Sequence, residues 1–158
     1  MNEKAMKIKN AKRRGEWAEL RFMAAASENG LDVVRPWGDS AQYDFIVEHD
    51  ARFLRVQVKS TGFMVNGAYS CAAHGTRSRY AGNPWDFLAA YVVPEDLWYI
   101  IPWQAFNGHA SVQLRPTTQA SKYGRYLNAW DLMKRQLRIP TIPEDDPEPV
   151  PDALTEEL

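Results

Sequence analysis

The stretch from Tyr43 to Lys59, YDFIVEHDARFLRVQVK, restricts the fold more than any other part of the chain. Tyr43-Asp44-Phe45-Ile46-Val47 is dense in aromatic and β-branched side chains, Glu48 to Ala51 is polar enough to turn, and Arg52 to Lys59 alternates with period 2. Two short strands joined by a turn satisfy that pattern. Leu54, Val56 and Val58 then share one face of the second strand, while Arg55, Gln57 and Lys59 share the other. Pairing Val47 with Arg52 across the turn sets Asp44 opposite Arg55, on the face of Gln57 and Lys59. A slip of one residue would send Asp44 to the wrong face, so the register decides whether a carboxylate, an amide and an ammonium converge.

Such a convergence has a chemical use. Mg²⁺ binds through only one or two carboxylates, keeps several waters and completes its shell with phosphate oxygens. Asp44 and a backbone carbonyl of the second strand would supply oxygens, and Lys59 a point charge for a water or a phosphate. That layout suits metal-assisted hydrolysis of a phosphodiester. The plain alternative is a strand-start aspartate, a solvated glutamine and an exposed strand-end lysine. A segment upstream bears on the choice. Gly15 to Ala26 is rich in helix formers with no Gly or Pro after its first residue, and Gly30 is placed to end it. At about 100° per residue, Glu19 falls between Phe22, Met23 and Ala26 on the apolar stripe, with Arg21 and Glu28 pointing the opposite way. Burying a carboxylate there is costly unless a cation meets it, and a metal ion or Lys59 would serve. Glu16, at the edge of the stripe, is expected in solvent.

Taken in order, Gly15-x-x-x-Glu19 on a first helix, Tyr43-Asp44 at a strand start and Gln57-Val58-Lys59 on the next strand resemble the PD-(D/E)XK nuclease superfamily. The set is most similar to the branch of group I intron homing endonucleases of this fold, with Holliday junction resolvases as more distant relatives. The similarity continues through Tyr80, Asp86-Phe87, Tyr91 and Trp98 to Pro102, and weakly through Tyr126 to Trp130, covering roughly residues 12 to 135. The resemblance implies an α/β domain of the restriction-endonuclease-like type, a mixed central sheet flanked by helices. It also implies active-site positions at Glu19, Asp44, Gln57 and Lys59, with Asp44 and Glu19 on the metal, Mg²⁺ or Mn²⁺ as the cofactor and DNA as the substrate. Two positions depart from the motif: Tyr43 stands for its Pro and Gln57 for its second acid. An amide offers a carbonyl oxygen without a charge, which lowers metal affinity, and the intron-endonuclease branch is one that uses glutamine there. Glu19 would restore the missing charge from the helix.

Charge is distributed unevenly. Residues 140–158 hold seven acidic groups and no Lys or Arg, so residues 1–139 carry all 19 basic groups against 13 acidic ones, a net of +6. A basic body suits a surface that tracks phosphates. We therefore divide the chain into a nuclease-like domain, 1–139, and an acidic Pro-rich tail, 140–158, expected to be disordered. That tail is either a solubilising end or a strap that folds over the basic groove and competes with DNA. Met1 to Arg14 reads as a frayed basic arm, a phosphate-contacting segment or both, and the segment His74 to Tyr80 as a DNA-gripping loop or a polar connection. Lys12, Arg13, Arg14, Arg77 and Arg79 are the candidate nucleic-acid contacts. A lone cysteine, Cys71, rules out an internal disulfide and suits the cytoplasm, three scattered histidines suggest no zinc site, and no apolar run is long enough for a membrane span.

The remaining elements expected are a strand over Leu31 to Pro36 and a loop at Trp37 to Ser40. Asp39 in that loop is either a further acid or an ordinary turn residue. A ribbon turning at Asn66-Gly67 follows, then a buried hairpin from Phe87 to Ile101, with Asp86 structural at its entry. A short helix over Pro102 to Phe106, a strand over Ser111 to Arg115 and a closing helix over Ser121 to Leu137 complete the body. The function expected is a Mg²⁺-dependent DNA endonuclease, working as a homodimer or homotetramer because two strands need two sites. The alternatives are an inactive nucleic-acid-binding or assembly module on the same fold, and a junction-selective nuclease.

Overall fold

The computed structural model describes residues 8–72, 83–106 and 109–134. Helix α1 (Ala11–Glu28) begins four residues earlier than expected because Asn10 caps it, its side chain accepting from the Arg13 backbone N–H at 3.0 Å. Lys12, Arg13 and Arg14 therefore form the first helical turn, which contains no acid, and are not part of a frayed arm. The helix ends at Asn29, and Gly30 follows at φ +73°, a conformation that favours glycine. Ala18, Phe22 and Ala26 are its buried stripe, and the small alanines let the helix lie close to the sheet. On its outer flank Arg21 meets Asp96 at 2.7 Å, an exposed pair worth little.

The sheet beneath α1 has five strands: β1 (Asp32–Val34), β2 (Phe45–His49), β3 (Arg52–Thr61), β6 (Phe87–Val92) and β7 (Leu97–Pro102), side by side in that order. Only the β3–β6 pair is parallel, so the sheet is mixed as expected. All six β6 residues are buried, because both of its faces are covered. Phe87, Ala89 and Tyr91 face the α1 core, whereas Leu88, Ala90 and Val92 face a second core. That second core is closed by Trp85, by the short α2 (Trp103–Phe106), and by a three-stranded sheet of β4 (Met64–Val65), β5 (Ala68–Ala72) and β8 (Ser111–Leu114).

Two expectations fail here. The β2–β3 register pairs His49 with Arg52 and Ile46 with Arg55, a shift of two residues from the expected pairing of Val47 with Arg52. The turn is therefore only Asp50-Ala51, both at positive φ (49° and 58°), a tight hairpin geometry that usually selects Asn-Gly or Asp-Gly. Alanine in that conformation is disfavoured by about 1–2 kcal/mol, which is why the sequence does not announce it. A shift of two preserves faces, so Asp44 now falls beside Gln57 and not Arg55. The closing helix over Ser121 to Leu137 is also absent through Lys134. Gly124–Tyr126 and Trp130–Met133 form short 3-10 turns. Between them Asn128 sits at φ 48°, donates its N–H to the Trp98 carbonyl at 2.7 Å and accepts from the Trp98 N–H at 3.1 Å. Pairing with the edge of β7 has overridden the helical spacing.

Candidate functional site

The site lies where β2 parts from β3. Their pairing stops at Phe45 and Val56, which leaves Gln57 to Thr61 without a strand on that side. A backbone N–H freed in this way needs a partner. Asp44, just before β2, donates its own N–H to the Val56 carbonyl at 2.9 Å, and its carboxylate accepts from the Val58 N–H at 2.6 Å. The same carboxylate oxygen accepts a short hydrogen bond from the Gln57 side-chain amide. Gln57 is only 5 % exposed and stands behind Asp44, so its polar end is committed to the acid and not to solvent.

The cavity in front of Asp44 measures about 260 Å³ and is lined by Glu19, Asp44, Lys59, Arg14 and Ser60. Ala11, Gly15 and Ala18 of α1 line it too, and their small size keeps it open. Glu19, Asp44 and Lys59 thus meet as the sequence expects, with Gln57 as their support. Burial, and then the charge of Asp44, raise the Glu19 pKa; Arg35 and Lys59 pull it down. Burial likewise raises Asp44, offset by the Val58 N–H, Lys59 and Arg35. Two acids that resist ionising side by side attract a cation.

Arg35 is the residue that sequence reasoning missed. Its guanidinium meets Glu19 at 3.2 Å, and nothing in Val33-Val34-Arg35-Pro36 indicates that the end of β1 reaches α1. Of the other candidates, Arg14 lines the cavity, while Lys12 and Arg13 are exposed, Arg13 beside a separate hollow with Trp17 and Leu20. Arg77 and Arg79, together with residues 140–158, lie outside the described residues. Asp39 is exposed and does not line the cavity. Arg55, once expected opposite Asp44, is engaged by Asp86, which accepts from its backbone N–H at 2.8 Å and from its guanidinium at 3.0 and 3.2 Å. That fits the structural reading of Asp86. Burial pushes the Cys71 thiol up to about 12, which makes it an inert core group.

Among the described residues no three His, Cys, Asp or Glu side chains gather to form a protein-only metal cage. Glu19 and Asp44 line the open cavity instead, two carboxylates that could hold a divalent cation whose remaining ligands are waters and substrate phosphate. Arg14, in the basic first turn of α1, lines the same cavity, and a cation there favours an anion.

A five-stranded mixed sheet with an acid–lysine cluster at a parting of its strands defines a restriction-endonuclease-like protein. The sequence matches the PD-(D/E)XK endonuclease family over residues 9–133, and the chain belongs to that family. Its fold is similar to the solved structure of a bacterial homing endonuclease, I-Ssp6803I, with a TM-score of 0.67 and 30 % identity, covering 78 % of this chain and 91 % of that one. A comparison with curated proteins finds no match. No helix among the described residues is long and apolar enough to cross a membrane.

Proposed function

We propose that the protein is a divalent-metal-dependent endonuclease that hydrolyses phosphodiester bonds in DNA. The observation that carries this reading is the meeting of Glu19, Asp44 and Lys59 around one cavity, with Asp44 fixed from behind by Gln57 and the Val58 N–H. Asp44 and Glu19 are the residues that would hold Mg²⁺ or Mn²⁺. When bound, the ion supplies charge neutralisation at the phosphate and a water of lowered pKa. Lys59 steers the attacking water or stabilises the charge that develops on the phosphate oxygens. Gln57 acts through Asp44, holding its carboxylate in one orientation, so glutamine is the residue this geometry uses where the superfamily motif has an acid. Arg14 binds a neighbouring phosphate, with Lys12, Arg13, Arg77 and Arg79 as further backbone contacts. Two copies, as a homodimer or a homotetramer, would cut both strands.

Plasmid and four-way-junction substrates titrated with Mg²⁺ or Mn²⁺ test this directly. Cleavage should require the metal, stop on chelation, and disappear in Asp44→Asn and Lys59→Ala proteins that keep the wild-type circular dichroism spectrum. Salt-sensitive DNA binding without conversion of any substrate would instead mark an inactive nucleic-acid-binding or assembly module. Cleavage of the junction alone would mark a structure-selective nuclease.

A further inference from the structure

We infer that Phe63 and the edge strand β4 are an apolar wedge that inserts between base steps of duplex DNA beside the cleavage cavity, an inference that rests on the endonuclease reading. Phe63, Met64 and Val65 are 70 %, 51 % and 62 % exposed. Met64 and Val65 are neighbours on one strand, so their side chains leave opposite faces of the strand, and both stand in solvent. A surface that docks flat on another copy of the chain gathers its apolar groups on one face. An edge strand that is apolar on both faces has the form of an insert.

Strand β4 is firmly based. It ends in the turn Asn66-Gly67 at φ 51° and 74°, the tight two-residue kind, and forms the outer edge of the β4–β5–β8 sheet. Its pairing partners on β5, Ala68 and Tyr69, are buried, as is Cys71, and Thr61 Oγ1 donates to the Ser70 carbonyl at 2.9 Å. Its position indicates the partner. Phe63 borders a hollow of about 170 Å³ together with Arg14, Ser60 and Gly62. Arg14 and Ser60 also line the cavity of Glu19, Asp44 and Lys59. The apolar edge is therefore continuous, through Phe63, with the phosphate-directed surface, with a cation at the junction. That is the arrangement by which proteins unstack and kink a base step while holding the adjacent backbone.

The test uses the full-length protein and a mixed-sequence duplex with 2-aminopurine in place of adenine along one strand, with Ca²⁺ replacing Mg²⁺ to keep the DNA intact. Wild-type protein should raise the 2-aminopurine fluorescence. The triple variant Phe63→Ser, Met64→Ser, Val65→Ser should lose that rise and bind about tenfold more weakly, with an unchanged sedimentation profile. If the triple variant does not fold, Phe63→Ala alone carries the test and should lose part of the signal. Unchanged fluorescence and affinity overturn the wedge. So does a variant whose weaker binding accompanies dissociation of the DNA-free assembly, which would make the edge a contact between copies. A protein that unstacks DNA through these residues yet never cuts it keeps the wedge and removes the endonuclease reading.

Discussion

Replacing Gln57 with glutamate sets a second carboxylate against Asp44 in place of the amide that now donates to it. Two like charges about 4 Å apart at an effective dielectric of about 20 repel by about 4 kcal/mol. The new acid escapes part of that by retaining a proton, which leaves a loss of about 2–4 kcal/mol without metal at neutral pH. For a chain of this size the melting temperature should fall by roughly 5–15 °C. The sign with pH is definite. A carboxyl whose folded pKa lies above its unfolded value keeps its proton longer when folded, so stability declines as pH rises through that interval. Asp44 and Glu19 already behave this way in the wild type, through burial first. The penalty of Gln57→Glu should therefore vanish in acid and grow toward neutrality. Added Mn²⁺ should recover more of the melting temperature in the variant than in the wild type, because a third carboxylate strengthens the cation site. Thermal melts at acid and neutral pH, each with Mn²⁺ and with chelator, measure all of this. A Gln57→Glu protein that melts with the wild type in chelator, or whose loss is the same in acid and at neutral pH, would refute the donor role of the amide.

Further predictions follow from the charged groups around the site. Removing Arg35 takes away a cation that lowers the Glu19 pKa, so in Arg35→Ala the acid limb of the cleavage pH profile should move to higher pH. An unmoved limb would detach Arg35 from the reaction. Asp86→Ala should lose about 1–3 kcal/mol in urea unfolding, since it removes three hydrogen bonds that tie Arg55 of β3 to the entry of β6. The folded fraction should still cut DNA, and loss of cleavage at unchanged stability would move Asp86 from scaffold to active site.

Much of this protein can be read from local pattern. The alternation from Arg52 to Lys59 determines which side chains of β3 face the α1 core, and the spacing of Ala18, Phe22 and Ala26 determines the stripe that α1 buries. Period alone fixed these faces, because a strand or helix repeats its orientation whatever it packs against. The convergence of Asp44 with Lys59 needed only a register correct to within two residues, since an even shift leaves parity intact, whereas Glu19 meets them because α1 borders the stretch of β3 that β2 leaves free. Contacts between distant segments were decided by tertiary structure. Ala51 accepts a disfavoured turn because the ten-residue β3 holds the hairpin on both sides, and Asn128 abandons a helix because the edge of β7 offers its backbone partners. Arg35 reaches Glu19 only because β1 lies beside β2 and under α1, a neighbourhood with no local signature. The pairing of Gln57 with Asp44 belongs to the same class. Sequence could mark both residues, but only the divergence of β2 from β3 made one the donor that orients the other.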